Sequence, residues 1–194
     1  HLAINTRQDV RSGILNGLEN YHFAHNALPE IDLAEVDCRI TFFQKELSFP
    51  LLISSMTGGT TAARQINRSL AEAAQHFNIA MGVGSQRIGL EHPQQMDTFK
   101  VRKIAPDILL FANLGAIQLN YGYSIEHCKA AVDALEADAL ILHLNPLQEA
   151  LMENGNTNFK DLLKRIGQVC RELPVPVVVK EVGWGINSGT ARRL

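Results

Sequence analysis

The chain alternates between short apolar runs and longer amphipathic segments. Five apolar runs have about the length of a β-strand, and they lie at residues 49–59, 78–87, 107–116, 137–146 and 175–185. The runs are almost continuously apolar and do not alternate with polar residues. This pattern is typical of strands that are covered on both faces, as in a parallel sheet.

Helical patterns fill the gaps between these runs, at residues 62–77, 124–137 and 158–174. Ser124, with Glu126 in the first turn, is a start signal for the second helix. Asn158, with Asp161 four residues before Arg165, is a start signal for the third. The strand onsets lie about 30 residues apart, which matches strand–helix units with crossover connections. We therefore expect an α/β fold with a parallel sheet.

The carboxyl end of each predicted strand turns polar, whereas the amino end does not. The polar residues at these ends are Ser54, Ser55, Thr57, Ser85, Gln86, Arg87, Asn113, His143, Asn145, Lys180 and Glu181. In parallel α/β proteins ligands bind at the carboxyl ends of the strands, and in a (β/α)8 barrel these ends face one mouth. The sequence therefore predicts that these residues converge on one ligand site.

A barrel and a doubly wound sheet both fit this pattern. No G-x-G-x-x-G sequence joins the first strand to its helix, which disfavours the dinucleotide-binding version and leads us to prefer a (β/α)8 TIM barrel. We expect residues 1–48 to form an N-terminal extension that packs on the barrel, with a short strand at 39–47. Residues 49–194 then form a barrel domain that is incomplete at its carboxyl end.

Composition narrows the class of partner. The 194 residues are 46% hydrophobic and 20% charged, as in an ordinary globular protein, and the net charge of -2 gives no general attraction to nucleic acid or to a membrane surface. The three cysteines are widely spaced and include no Cys-x-x-Cys pair, so they indicate neither a disulfide framework nor a thiolate metal site. We expect a cytoplasmic protein with a small-molecule partner.

The segment "HLNPLQE" (143–149) combines a helix start with unexplained polar groups. Asn145 is a candidate N-cap, Pro146 occupies the first helical position, and Gln148 stands three residues after the cap, as in a capping box. Capping therefore accounts for Asn145 and Gln148. It leaves His143 and Glu149 without a structural reason, and both are candidates for a functional role.

Two cationic residues stand at other strand ends. Lys180 follows the apolar run "VPVVV", where its charge is costly to bury unless an anion or a dipole receives it. The structural alternative is a salt bridge to Glu181 or Asp138. Arg87 in "GSQR" can make a forked contact with phosphate oxygens, and Ser85 adds a hydroxyl donor, although a surface arginine after a strand is common.

Five motifs together resemble one family of enzymes. They are "SSMTGG" (54–59), "GVGSQR" (82–87), "ANLGA" (112–116), "HLNPLQE" (143–149) and "VVVKEVGWG" (177–185). In these motifs the sequence resembles the type 2 isopentenyl-diphosphate isomerases, which are FMN-dependent (β/α)8-barrel enzymes. The resemblance implies that isopentenyl and dimethylallyl diphosphates are interconverted with reduced FMN and Mg²⁺, with NADPH or another reductant preparing the flavin. It also implies a homo-oligomer, a tetramer or an octamer, and about the first five of the eight strand–helix units of such a barrel.

The resemblance also implies roles for individual residues. It implies flavin contacts from Met56, Thr57, Ser85, Asn113 and Lys180. It implies substrate contacts from His1, Arg87, His143, Asn145 and Gln148. Glu149 is the implied Mg²⁺ ligand, because this ion takes one or two protein oxygens and completes its shell with water and phosphate oxygens. In this scheme the reduced flavin is the acid and base, Lys180 stabilises its anion, and Gln148 assists proton movement.

Three alternatives remain open. Lys180 could be a Schiff-base nucleophile, as in barrel aldolases, where a desolvated lysine attacks a carbonyl. Another flavin barrel, such as a hydroxy-acid oxidase, would carry out net oxidation of its substrate and form peroxide. A non-enzymatic interpretation is an inactive half-barrel fragment, because about three strand–helix units of a barrel are not accounted for in the sequence.

Overall fold

The computed structural model describes residues 2–11, 13–15 and 17–194 of the protein. The polypeptide divides into two compact units, of which the first ends at Asp37 and the second spans Cys38–Leu194. This division falls before the boundary at residue 48 that the sequence predicts. His1, a predicted substrate ligand, lies outside the described residues.

The elements that the structure describes in the first unit are short. Helix α1 spans Leu2–Arg7, and two 3-10 turns follow at Leu18–Asn20 and Leu33–Glu35. The second turn is capped by Asp32, whose side chain accepts a hydrogen bond from the N–H of Ala34 at 2.9 Å.

The second unit opens with an antiparallel hairpin of β1 (Ile40–Phe42) and β2 (Lys45–Leu47). The sequence predicted one strand here, and this was wrong. Phe43 and Gln44 adopt left-handed conformations, with φ of 45° and 63°, and so reverse the direction of the backbone between the two strands. Neither residue is a glycine or an asparagine, and residues of other types rarely adopt this conformation, so the turn carried no sequence signal.

Five parallel strands form the main sheet in the order of the sequence. They are β3 (Leu52–Ile53), β4 (Ala80–Gly82), β5 (Leu110–Gly115), β6 (Ala139–His143) and β7 (Val177–Lys180). Each strand lies within one of the predicted apolar runs, which confirms the parallel α/β prediction. The sheet is curled like half of a barrel.

Helices cover one face of this sheet. They are α2 (Thr61–Phe77), α3 (Arg87–Glu91), α4 (Ile125–Leu135), α5 (Pro146–Leu151), α6 (Leu162–Glu172) and α7 (Ser188–Ala191), with 3-10 segments at Pro93–Thr98 and Ala116–Asn120. The predicted start at Ser124 is confirmed, because Ser124 and His127 form a capping box. The predicted start at Asn158 is wrong, since α6 begins at Leu162 after Asp161, which has φ 57°. No helix in the described part of the protein is long and apolar enough to cross a membrane.

Alternate residues of the central strands pack into two separate clusters. Leu110, Ala112 and Leu114 of β5 belong to the cluster under the helices, whereas Phe111 belongs to a cluster on the inner face of the sheet. Phe43 of the hairpin packs on this inner cluster, with its ring centroid 6.3 Å from that of Phe111. Both faces of the central strands β4, β5 and β6 are therefore covered, as the continuous apolar runs predicted.

Candidate functional site

The inner face of the sheet changes from apolar to polar at its carboxyl edge. In a strand, residues two apart share one face, so Asn113 follows Phe111, and His143 follows Ile141, on the inner face. On β7, Lys180 follows Val178, which packs on the inner cluster. The hairpin and the inner cluster thus close one end of this face, and polar residues occupy the other end.

Asn113 and His143 form the centre of this polar edge. Asn113 is buried, with 3% of its surface exposed, and its Oδ1 lies 2.9 Å from His143 Nδ1. Its Nδ2 donates to the backbone oxygen of Val83 at 3.0 Å. His143 is paired in register with Gly115 on one side and with Lys180 on the other. A Cβ at Gly115 would lie 3.2 Å from His143 Nε2, so the glycine leaves space for the imidazole.

His143 is held as a neutral imidazole. Burial lowers its pKa to about 4, and the positive charge of Lys180 acts in the same direction. The negative charge of Glu149 opposes this shift only in part. At neutral pH and without a ligand, His143 is therefore the neutral imidazole. The imidazolium, which could donate to a phosphate oxygen, is not the form present.

Lys180 points its ammonium group toward the end of β7. Burial lowers the pKa of Lys180, and its Nζ donates to the backbone oxygen of Glu181 at 2.9 Å. The alternative salt bridge to Glu181 does not form, because that carboxylate accepts the N–H groups of Gly183 and Trp184. Asp138, the other suggested partner, instead lies 2.8 Å from Arg102 and 3.4 Å from Lys45.

Asn145 and Glu149 form a second polar pair at this edge. Asn145 precedes α5, but its side chain does not cap the helix, and the predicted capping box with Gln148 is wrong. Its Nδ2 donates instead to Glu149 Oε1 at 2.9 Å, while the N–H of Asn156 donates to Glu149 Oε2 at 2.6 Å. Glu149 is 8% exposed. It therefore has a structural role that the sequence did not reveal.

The remaining predicted residues lie around these two pairs. Arg87 is half-exposed, and its Nε donates to Glu91 at 2.8 Å. The Glu91 hydrogen bond raises the pKa of the Arg87 guanidinium, and the charge of Glu149 adds to the effect. Gln148 is half-buried on α5, one residue before Glu149.

The β3 end of the edge carries the remaining predicted flavin contacts. The backbone oxygen of Thr57 accepts the N–H of Gly84 at 3.0 Å, which brings Thr57 beside Ser85. Met56 is 78% exposed. Thr57, Asn113, Glu149 and Lys180 thus lie along one edge of the sheet, as predicted, while the ligand roles assigned to them stay predictions.

Gln86 is a site residue whose role sequence reasoning missed. Its side chain is fully buried, its Oε1 accepts the backbone N–H of Asn113 at 3.0 Å, and its Nε2 donates to the backbone oxygen of Ala131 at 2.8 Å. The residue was visible as a polar group after β4. Its contact with α4 depends on the folded protein, so the sequence carried no signal for it.

The polar edge has atoms that suit the groups implied by the family resemblance. Among the residues that the structure describes, Ser55 Oγ and Asn145 Oδ1 are buried without a hydrogen-bond partner. Lys180 can donate further hydrogen bonds, and each Glu149 oxygen can accept one more contact. No group of three or more His, Cys, Asp or Glu residues in the described ranges could hold a metal. A Mg²⁺ ion at Glu149 would therefore need oxygens from a bound phosphate and from water, which this ion commonly uses.

An apolar cavity adjoins the polar pairs. It has a volume of about 370 Å³, and its walls include Leu144, Leu147, Val182, Trp184 and Ile186. Asn145 and Glu181 also border it. A ligand with a charged head and a short hydrocarbon tail would match this combination of polar edge and apolar cavity.

A cleft of about 410 Å³ lies away from this edge, between α2 and the end of α4. Its cations are Arg64, Arg68, Lys100, Arg102 and Lys103. Arg102 donates to the backbone oxygens of Glu136 and Ile108 and to the carboxylate of Asp138, and Lys100 lies 3.4 Å from Asp97. Arg102 and Lys100 are thus engaged within the fold, and the candidate site is the carboxyl edge.

The fold is similar to that of one solved oxidase. A crystal structure of a mandelate oxidase variant with 2-hydroxy-phenylacetamide superposes on 84% of this protein and 49% of its own length, with a TM-score of 0.51. The two sequences are 15% identical, so this likeness concerns the fold alone. No protein-family model matches the sequence.

Similarity to curated proteins extends over the full sequence. The chain is 55% identical to an isopentenyl-diphosphate delta-isomerase of Nostoc sp. and covers 56% of that protein. It is 52% identical to an isopentenyl-diphosphate delta-isomerase of Rickettsia prowazekii and covers 57% of it. The chain therefore spans somewhat more than half the length of these relatives, and over that span it is similar to proteins named isopentenyl-diphosphate delta-isomerase.

Proposed function

We propose that the chain belongs to an isopentenyl-diphosphate delta-isomerase of the type 2 class, which interconverts isopentenyl and dimethylallyl diphosphates. The observation that carries the proposal is the identity of 52 to 55% to proteins of that name over the whole sequence. The polar edge with its adjoining apolar cavity supports it, since the substrate combines a diphosphate with a short hydrocarbon tail. We further propose a closed barrel of eight strand–helix units and assembly as a homo-oligomer.

The protein groups at the edge would position the substrate. Glu149 would hold Mg²⁺, and the ion with Arg87, His143 and Asn145 would hold the diphosphate. The hydrocarbon tail would then lie along the apolar cavity beside Trp184. Fixing the head group in this way restricts the alkene to one orientation, which is a large part of what such a site can contribute to the rate.

The same edge would hold FMN, reduced by NADPH or another reductant, through Met56, Thr57, Ser85, Asn113 and Lys180. When bound, reduced FMN would supply a proton donor and acceptor beside the alkene. The Lys180 ammonium would stabilise negative charge on the ring. Gln148, one residue before Glu149, would assist proton movement.

The activity is tested with isopentenyl diphosphate in D₂O, followed by proton NMR. The full-length protein, with FMN reduced by dithionite and with Mg²⁺, is expected to form dimethylallyl diphosphate and to incorporate deuterium. Matched reactions with oxidised FMN, or with a chelator in place of Mg²⁺, are expected to show no conversion. Absence of product under the complete conditions would overturn the proposal. Peroxide formation from a 2-hydroxy acid would instead support a hydroxy-acid oxidase.

A second candidate function is supported by the lowered pKa of Lys180, which increases the unprotonated fraction of its amine. Such an amine can attack a carbonyl and form a Schiff base. Treatment with borohydride in the presence of pyruvate or dihydroxyacetone phosphate would then add the reduced adduct to the mass of the protein. An unchanged mass, with Lys180→Met as the control, would exclude this candidate for those carbonyls.

A further inference from the structure

The orientation of the Asn113 side-chain amide is fixed by a backbone group. Asn113 faces the backbone oxygen of Val83 on one side, at 3.0 Å, and Nδ1 of His143 on the other, at 2.9 Å. The Val83 oxygen can only accept a hydrogen bond, so the NH₂ group of Asn113 must point toward it. The opposite orientation would place two acceptors against each other. Asn113 Oδ1 therefore faces His143.

This orientation determines which nitrogen of His143 carries the proton. Asn113 Oδ1 is an acceptor, so Nδ1 of His143 must be the donor. A neutral imidazole has one N–H, and with Nδ1 protonated its Nε2 has a free lone pair. That nitrogen borders Gly115, and Lys180 lies on the neighbouring strand in the paired position.

We propose that Asn113 holds His143 as the neutral Nδ1–H imidazole, and that a diphosphate binding at this edge makes His143 take up one proton at Nε2. Ionised phosphate oxygens only accept hydrogen bonds, and so does a bare Nε2, so their direct contact is repulsive. A proton from solvent converts Nε2 into a donor and leaves the Nδ1–H bond to Asn113 intact. The second half of the proposal rests on the proposed function, whereas the first half does not.

The charges around His143 are consistent with this change. Lys180 on β7 favours the neutral ring, Glu149 on α5 favours the charged ring, and the backbone at Leu114 on β5, which can accept a hydrogen bond from the charged ring, also favours that form. Burial is the largest influence and lowers the pKa of the imidazole to about 4. A bound diphosphate adds several negative charges at this edge, which raises the pKa of the imidazole.

His127 provides an opposite control within the same molecule. The backbone N–H of Ser124 donates to His127 Nδ1 at 3.1 Å. This nitrogen must therefore be the acceptor, and a neutral His127 carries its proton on Nε2. One spectrum of the histidine rings should thus contain both tautomers at assigned positions.

The test is a long-range ¹H–¹⁵N NMR spectrum of protein labelled with ¹⁵N-histidine at pH 7.5, assigned with His143→Gln and His127→Gln. Without ligand, His143 is expected to show a protonated Nδ1 and an unprotonated Nε2, and His127 the reverse. Addition of inorganic pyrophosphate with Mg²⁺ is expected to move both His143 nitrogens to protonated positions. An Nε2–H form of His143 in the free protein would overturn the first half.

The pyrophosphate step decides the second half. Binding that leaves His143 neutral, or no binding at millimolar pyrophosphate, would overturn it. The spectra need no turnover, so they can be interpreted even if the protein has no isomerase activity. Absence of that activity would count against the proposed function alone. Conversely, isomerisation with an Nε2–H His143 would leave the proposed function intact.

Asn113 acts here as a positioning residue, and two variants test that role. Asn113→Asp keeps an acceptor opposite Nδ1 but loses the hydrogen bond to the Val83 oxygen, so the protein is expected to be less stable while His143 retains the Nδ1–H form, with a raised pKa because of the added charge. Asn113→Leu removes the acceptor, and a measurable population of the Nε2–H form is expected. Identical spectra for Asn113→Leu and the unchanged protein would contradict the role.

Discussion

Asn145 donates its side-chain N–H to Glu149 Oε1 over 2.9 Å, from one helical turn before that residue. The backbone N–H of Asn156 holds the other carboxylate oxygen at 2.6 Å. Glu149 therefore occupies one orientation before any ligand arrives. A carboxylate held in this way is prepared to accept a cation, while its partners keep its buried charge satisfied.

Glu149→Gln should weaken Mg²⁺ binding. The amide keeps the shape of the side chain but loses the negative charge that attracts the ion, and the Mg²⁺ concentration for half-maximal isomerisation should rise at least about 10-fold. Titration of the activity with MgCl₂ measures this. Glu153→Gln, at an exposed position near α5, is the matched control and should leave the titration unchanged. An unaltered Mg²⁺ requirement in Glu149→Gln would show that another residue holds the ion.

Gln86→Leu should destabilise the protein without a large change in side-chain volume. It leaves the backbone N–H of Asn113 without its partner and removes the side-chain hydrogen bond to the backbone oxygen of Ala131 in α4. The unsatisfied buried N–H costs about 1–3 kcal/mol and the other lost bond about 1 kcal/mol, so the free energy of unfolding should fall by roughly 2–4 kcal/mol. Urea denaturation measures the loss. Gln94→Leu, at an exposed position, is the control and should change the free energy of unfolding by less than about 0.5 kcal/mol.

Gly84→Ala and Gly167→Ala should have opposite effects on stability. A Cβ at Gly84 would lie 2.5 Å from the backbone carbonyl group of Thr57, so the backbone segments that follow β3 and β4 must move apart. At Gly167, within α6, the nearest atom is 3.5 Å away on the flexible side chain of Arg171. Alanine there should stabilise the helix by about 0.5–1 kcal/mol. Thermal unfolding of the two variants gives the comparison, and a stabilised Gly84→Ala would contradict the close approach.

His143 should make the stability of the ligand-free protein depend on pH. Its pKa is lowered from 6.5 to about 4, so the unfolded protein binds a proton in this range and the folded protein does not. Stability is therefore complete above about pH 6.5 and declines as the pH falls toward 4, by on the order of 3 kcal/mol.

The measurement compares urea unfolding of the unchanged protein and of His143→Gln between pH 7 and pH 4. The variant should lose less stability than the unchanged protein over this interval. His92→Gln, at an exposed position, should follow the unchanged protein. Parallel curves for His143→Gln and the unchanged protein would show that the imidazole titrates normally in the fold.

The sequence predicted the sheet well because its strands are covered on both faces and so leave continuous apolar runs. It predicted α2 and α4 because each has one buried stripe, and for α4 because Ser124 is a recognisable start. It did not predict the hairpin, because Phe43 and Gln44 give no turn signal. It placed the start of α6 too early, since the residues before Leu162 include acceptable capping residues that the fold does not use.

The site was predicted as a set of residues but not as a set of contacts. The position of Asn113, His143 and Lys180 at strand ends follows from the order of the segments. Their pairing depends on strand register, which the sequence does not state. The capping explanation of Asn145 was wrong because a buried carboxylate, Glu149, competes for its amide. Such competition between local and distant partners is decided only in the folded protein.

The order of the strands has a consequence for how the molecule is made. Every strand of the main sheet pairs with the strand immediately before or after it in the sequence. As the ribosome extends the polypeptide, each emerging β-segment finds its docking edge already built by the previous one, and no segment waits for a partner that has not yet been synthesised. Assembly can thus proceed stepwise from β3 toward β7, with each new strand docking on the edge of the one before it.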